Sequence, residues 1–109
     1  MTSDPTNRVV ALVDDLMDRS RLGAIHGITF TRDPAACAGA AVVVVDLAKY
    51  ATAIPAVVAA APGARVVAFG SHVDTDALDA ASGDGATLVL ARSQFLRDPA
   101  AIVTTLLAG

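Results

Sequence analysis

A chain of 109 residues, 54% of them apolar, amounts to one domain with enough material to bury its own core. A net charge of -3 without a basic cluster argues against a nucleic-acid surface, and the single cysteine, Cys37, excludes an internal disulfide and suits an intracellular protein. No apolar run reaches the roughly 18 residues needed to cross a bilayer, and the polar start MTSDPTNR lacks a signal-peptide pattern, so the expected location is the cytoplasm and no membrane partner is expected.

Residues 1–7 are expected to be a flexible lead-in, followed by a single domain over 8–109. Arg8 to Val13, RVVALV, reads as the first strand and ends in two carboxylates, Asp14 and Asp15. Leu16, Met17, Leu22 and Ile25 follow at loosely helical spacing, predicting a short helix from Leu16 to about Ala24. ITFT, Ile28 to Thr31, alternates like a short strand nearer the sheet edge. Asp33-Pro34 is a cap with proline at the first helical position, opening a very short helix to about Ala38. The central stretch is AAVVVVDLAKY, Ala40 to Tyr50. Val42 to Val45 show no polar alternation, so both faces of this strand must be covered, as in the middle of a parallel sheet.

After Asp46 the pattern predicts a loop and then a helix over Ala51 to Ala60, with Pro55 near its start or kinking it. Arg65 to Phe69 is the fourth strand, with Gly70 and Ser71 at its carboxyl end. A helix over Val73 to Ala81 follows, then the fifth strand, Thr87 to Ala91, and Arg92. Asp98-Pro99 repeats the cap-and-proline device and starts a last helix to about Ala108. Five strands alternating with five helices predict an α/β fold: a three-layer, doubly wound, five-stranded parallel sheet, with the first and second helices short. Strand order 2-1-3-4-5 fits best, and it sets strands one and three side by side at the switch point. Asp14, Asp15 and Asp46 then face one pocket.

Every acidic residue is aspartate, a short side chain suited to caps and turns. A helix cap is accordingly the plain alternative for Asp15, and a turn or helix start for Asp46. Three carboxylates in one pocket would repel, and a hard cation such as magnesium removes that penalty. His26, His72 and Cys37 lack zinc-ligand spacing and read as a helix-end residue, a loop histidine and a buried small hydrophobe.

VVALVDD, VVVVDL, VVAFGSH and LVLARSQF, in that order, resemble the four sequence blocks of the response-regulator receiver domain, a CheY-like, flavodoxin-like fold, over nearly the whole chain after residue 7. The resemblance implies that Asp46 is a phosphoacceptor. It also implies that Asp14, Asp15, Asp46 and the backbone carbonyl of Ala48 hold Mg2+. Gly70, Ser71 and Arg92 then stand at the phosphoryl pocket. Here the chain departs from the family: Gly70 replaces a hydroxyl residue, Arg92 a lysine, Ser93 a proline and Val89 an aromatic switch residue. For Arg92 an ion pair to one of the pocket aspartates is the alternative to a phosphate contact. These losses point to a degenerate, or pseudo-receiver, as much as to an ordinary phosphorylated switch.

The function implied is a stand-alone signalling module acting through a protein partner, either a histidine kinase or phosphotransfer protein in a phosphorelay or a copy of itself in a homodimer. Its expected interaction face includes Ala77, Leu78, Ala81, Val89, Phe95 and the exposed side of the last helix. The alternatives are a phosphorylation-independent interaction domain, a magnesium-dependent phosphatase, and a flavodoxin-like carrier of a small ligand. Against the carrier, Asp14 and Asp15 would repel a phosphate placed after the first strand.

Overall fold

The structure, a computed structural model, describes residues 8–108; the expected lead-in at residues 1–7 lies outside the described residues. Five strands, β1 (Val9–Leu12), β2 (Ile28–Phe30), β3 (Val42–Asp46), β4 (Arg65–Gly70) and β5 (Leu88–Ala91), form one sheet in the order β2-β1-β3-β4-β5. Every pairing is parallel, and Val9 to Leu12 run in register with Val42 to Val45. The expected topology is therefore the observed one.

The unbroken valine run has the physical cause inferred for it. Val43 and Val45, with Val10, Leu12, Val66 and Ala68, point into one core, and Val42 and Val44, with Val9, Ala11, Val67 and Phe69, point into the other. All four valines of β3 are fully buried, and each such side chain contributes about 1.5 to 3 kcal/mol. The first core is closed by α2 (Leu47–Tyr50), α3 (Ile54–Ala60) and α4 (Thr75–Gly83), with Cys37 among its buried members. The second is closed by α1 (Leu16–Leu22), α5 (Arg92–Arg97) and α6 (Pro99–Ala108).

Aspartates start most of these segments. Asp15 caps α1, Asp46 caps α2, Asp74 caps α4, Asp98 accepts from the Ala101 N–H in the first turn of α6, and Asp33 caps a 3-10 turn over Pro34–Cys37. That single turn is all that joins β2 to β3 on its face, so the second helix is short indeed. Arg8 ties the turn to the sheet by donating to the carbonyls of Ala36 and Ala38.

Two local expectations are corrected. No loop follows Asp46: its carboxylate accepts from the Ala48 N–H at 3.0 Å, so helix starts at once, and the chain passes through a 3-10 turn at Ala51–Ala53 into α3, with Pro55 in its first turn. And α5 begins directly after β5, where no helix was expected. It lacks a side-chain cap of the usual kind; instead the Gln94 side chain reaches back to accept from the Ala91 N–H at 3.1 Å. Gly85 marks a close approach, for its φ of +114° is left-handed and a Cβ there would stand 3.1 Å from Val58 of α3.

Candidate functional site

The carboxyl ends of β1, β3 and β4 carry the residues singled out in the sequence, and the fold brings them to one rim. Their carboxylates bond to different partners there. Asp46 is only 5% exposed. Burial pushes its carboxyl above the ordinary range, and Asp18 and Asp15 add to this, while the Ala48 N–H and the Arg92 guanidinium pull the other way. Asp15 is exposed and its Oδ1 caps α1, accepting from the N–H groups of Met17 and Asp18 at 2.9 and 3.0 Å. The plain cap reading thus describes the hydrogen bonding of both Asp15 and Asp46.

Arg92 makes an ion pair, and its partner is an aspartate outside the expected three. Its Nη2 donates to both carboxylate oxygens of Asp18, at 2.5 and 2.6 Å, and its guanidinium lies 5.9 Å from the centre of the Phe69 ring. Asp18, 2% exposed, sits on α1 facing the sheet. No local signal in the sequence marks it, because its partner is 74 residues away.

Asp14 turns to a different set of groups. The Tyr50 hydroxyl donates to its Oδ1 at 2.5 Å; Arg19 and Arg32 stand 3.9 and 3.6 Å from that oxygen, and Lys49 stands 3.8 Å from Oδ2. The Tyr50 hydrogen bond first, and then Arg32, Lys49 and Arg19, hold its carboxyl below the ordinary range against a smaller opposing effect of burial. As arranged, the residues fit a magnesium ion poorly: Asp14 is neutralised by side chains, Asp15 and Asp46 are engaged as caps, and among the described residues no group of three His, Cys, Asp or Glu could hold a metal.

Gly70 lies at the end of β4, where a receiver would carry a hydroxyl. A Cβ there would stand 3.2 and 3.3 Å from Leu47 Cβ and Cδ1, so Leu47 fills the space. Ser71 is exposed and its Oγ accepts weakly from the Val73 N–H, at 3.4 Å. His26 and His72 are exposed.

The expected interaction face needs correction at two positions. Phe95 is fully buried, its ring stacked 4.9 Å from that of Phe69, because α5 folds straight back over the sheet. Ala81 is 2% exposed, in the opposite core. Ala77 is half-buried, as are Leu78 and Val89, which also pack on that core.

Solved structures share this architecture. A protein with a provisional pilus-assembly assignment from Burkholderia pseudomallei matches with a TM-score of 0.68 at 15% identity, over 99% of this chain and 94% of its own. A CheY-like protein, tadZ, from Pseudomonas aeruginosa also scores 0.68, at 18% identity, over 91% of this chain and 98% of its own. The chain has the CheY-like receiver fold. A response regulator from Burkholderia pseudomallei, solved with a phosphorylated aspartic acid, a calcium ion and citrate, scores 0.62 at 15% identity over 93% of this chain and 71% of its own. No family model matches the chain, and no curated protein matches it by sequence. Among the described residues of this receiver fold, no helix is long and apolar enough to cross a membrane.

Proposed function

We propose that the chain is a receiver-fold signalling module that works by binding a protein partner and does not depend on phosphoryl transfer to Asp46. The observation that carries this reading is the pairing of Arg92 with Asp18, in which Nη2 of the arginine donates to both oxygens of a buried carboxylate: the cation assigned to the phosphoryl group is already engaged. Leu47, packed where a receiver's hydroxyl would project from position 70, supports the same reading. Magnesium is not required by it, since cations of the chain itself neutralise Asp14. The surface of Ala77, Leu78 and Val89 on α4 and β5 is the proposed partner face. The likeness to the pilus-assembly-related protein makes pilus assembly the first setting in which to seek that partner.

A second reading keeps Asp46 as the phosphoacceptor of a phosphorelay, with magnesium held by Asp14, Asp15, Asp46 and the Ala48 carbonyl. Asp46 at the carboxyl end of the central strand favours it, as does the phosphorylated aspartate of a neighbouring structure. Intact-protein mass spectrometry after incubation with magnesium and acetyl phosphate separates the two. No adduct, under conditions that modify a working receiver, is the expected result. A single phosphoryl adduct that disappears in Asp46→Asn would overturn the first reading in favour of the second.

A further inference from the structure

The sign of the charge around Asp14 is the reverse of what its acidic neighbours in sequence suggest. Three adjacent strands, β2, β1 and β3, each end in a segment that sends a cation to the same carboxylate: Arg32 after β2, Arg19 on α1 after β1, and Lys49 on α2 after β3. Three cations thus stand 3.6 to 3.9 Å from one carboxylate, while exposed Asp15 and Asp33, next in the chain to Asp14 and Arg32, form an ion pair with none of them. Two of the components are fixed in place. Arg19 donates from Nε to the Val13 carbonyl at 2.6 Å and lies 4.9 Å from the centre of the Phe30 ring, and the Tyr50 hydroxyl anchors Asp14.

The other two cations are open to solvent. The Arg32 and Lys49 side chains are 78% and 65% exposed, and among the described residues neither donates a hydrogen bond; each stands beyond hydrogen-bonding distance from Asp14. Their donors are therefore available to an incoming oxyanion. We propose that Arg19, Arg32 and Lys49 form a binding site for a phosphate group, free or carried on a small organic molecule, with Asp14 as the internal anion that gathers the three cations. Convergence on one point suits a compact, multiply charged anion. The carboxylates of an extended acidic segment would instead be spaced about 7 Å apart along one face. Two guanidinium forks and an ammonium supply the planar and point-charge donors that phosphate oxygens accept.

The test is a 1H–15N titration of the full chain at low ionic strength, with inorganic phosphate and, separately, adenosine 5′-monophosphate. Saturable shifts at the amides of Arg19, Arg32, Lys49 and Tyr50, without a shift at exposed Arg97 on α5, are expected. Saturation by phosphate supports a free-anion site, and saturation by the nucleotide alone supports a site for an esterified phosphate. Arg32→Gln and Lys49→Gln, both at exposed positions that leave the fold intact, should each weaken binding about tenfold, the size of one charged hydrogen bond lost. Shifts that rise without saturation and include Arg97, or a dissociation constant that neither glutamine variant changes, would overturn the proposal.

Discussion

Asp18 and Asp14 both stand near the start of α1 and both pair with arginine, yet their surroundings are opposite. Asp18 is buried against one arginine, which grips both its oxygens and lies near the stacked pair of Phe69 and Phe95. Asp14 is 20% exposed, with three cations loosely around it at 3.6 to 3.9 Å. On the closed side, low solvent access makes one short, two-pronged pair decisive. On the open side, solvent screens each pair, and no single cation holds the carboxylate.

The comparison can be broken most severely from the closed side. Phe95→Ala removes the ring that stacks on Phe69 and should cost about 3 to 5 kcal/mol, seen as a lower urea midpoint. Arg92→Ala leaves the Asp18 carboxylate buried without its cation. Because the arginine is itself 43% exposed, the cost should fall below that of a fully buried pair, at about 2 kcal/mol. Lys49→Ala, its counterpart on the open side, should change stability by less than about 0.5 kcal/mol, so the two denaturation curves together measure the contrast. Equal losses would erase it.

Smaller effects follow from the two titrations. Asp46 has its folded carboxyl raised by burial, so its contribution to stability is present while it is protonated and is lost as pH rises through its folded value. Asp46→Asn should therefore raise the melting temperature at neutral pH and lose that advantage in acid, checked by thermal melts across pH. Asp14 has its folded carboxyl lowered, chiefly by Tyr50, so its stabilising contribution is present above the unfolded value and is lost as pH falls through the folded one. Tyr50→Phe should move the Asp14 titration back towards the ordinary carboxylate range, read from the side-chain carboxyl by NMR, with little change in melting temperature at neutral pH.

Much of the scaffold is legible along the chain because its causes are local. The valine run of β3 calls for cover on both faces, and Asp33-Pro34 and Asp98-Pro99 announce their turns. The helix at Arg92 was not legible in that way, since its first N–H is satisfied by Gln94 reaching back rather than by a cap residue of familiar type. At the site, the aspartates could be read as rim residues from their places after the strands. Their partners could not.

What the sequence by itself determined is the order of strands and turns, and with it the receiver fold: hydrophobic period, β-branched runs and aspartate caps act over a few residues. What only the tertiary structure decided is which charge meets which. Asp18 finds Arg92 74 residues away, and Asp14 finds Tyr50 36 residues away. Once the strands are side by side, burial holds the first pair closed and leaves the cations around Asp14 facing water. Long-range packing, which no local pattern encodes, sets both the partner and the dielectric around it.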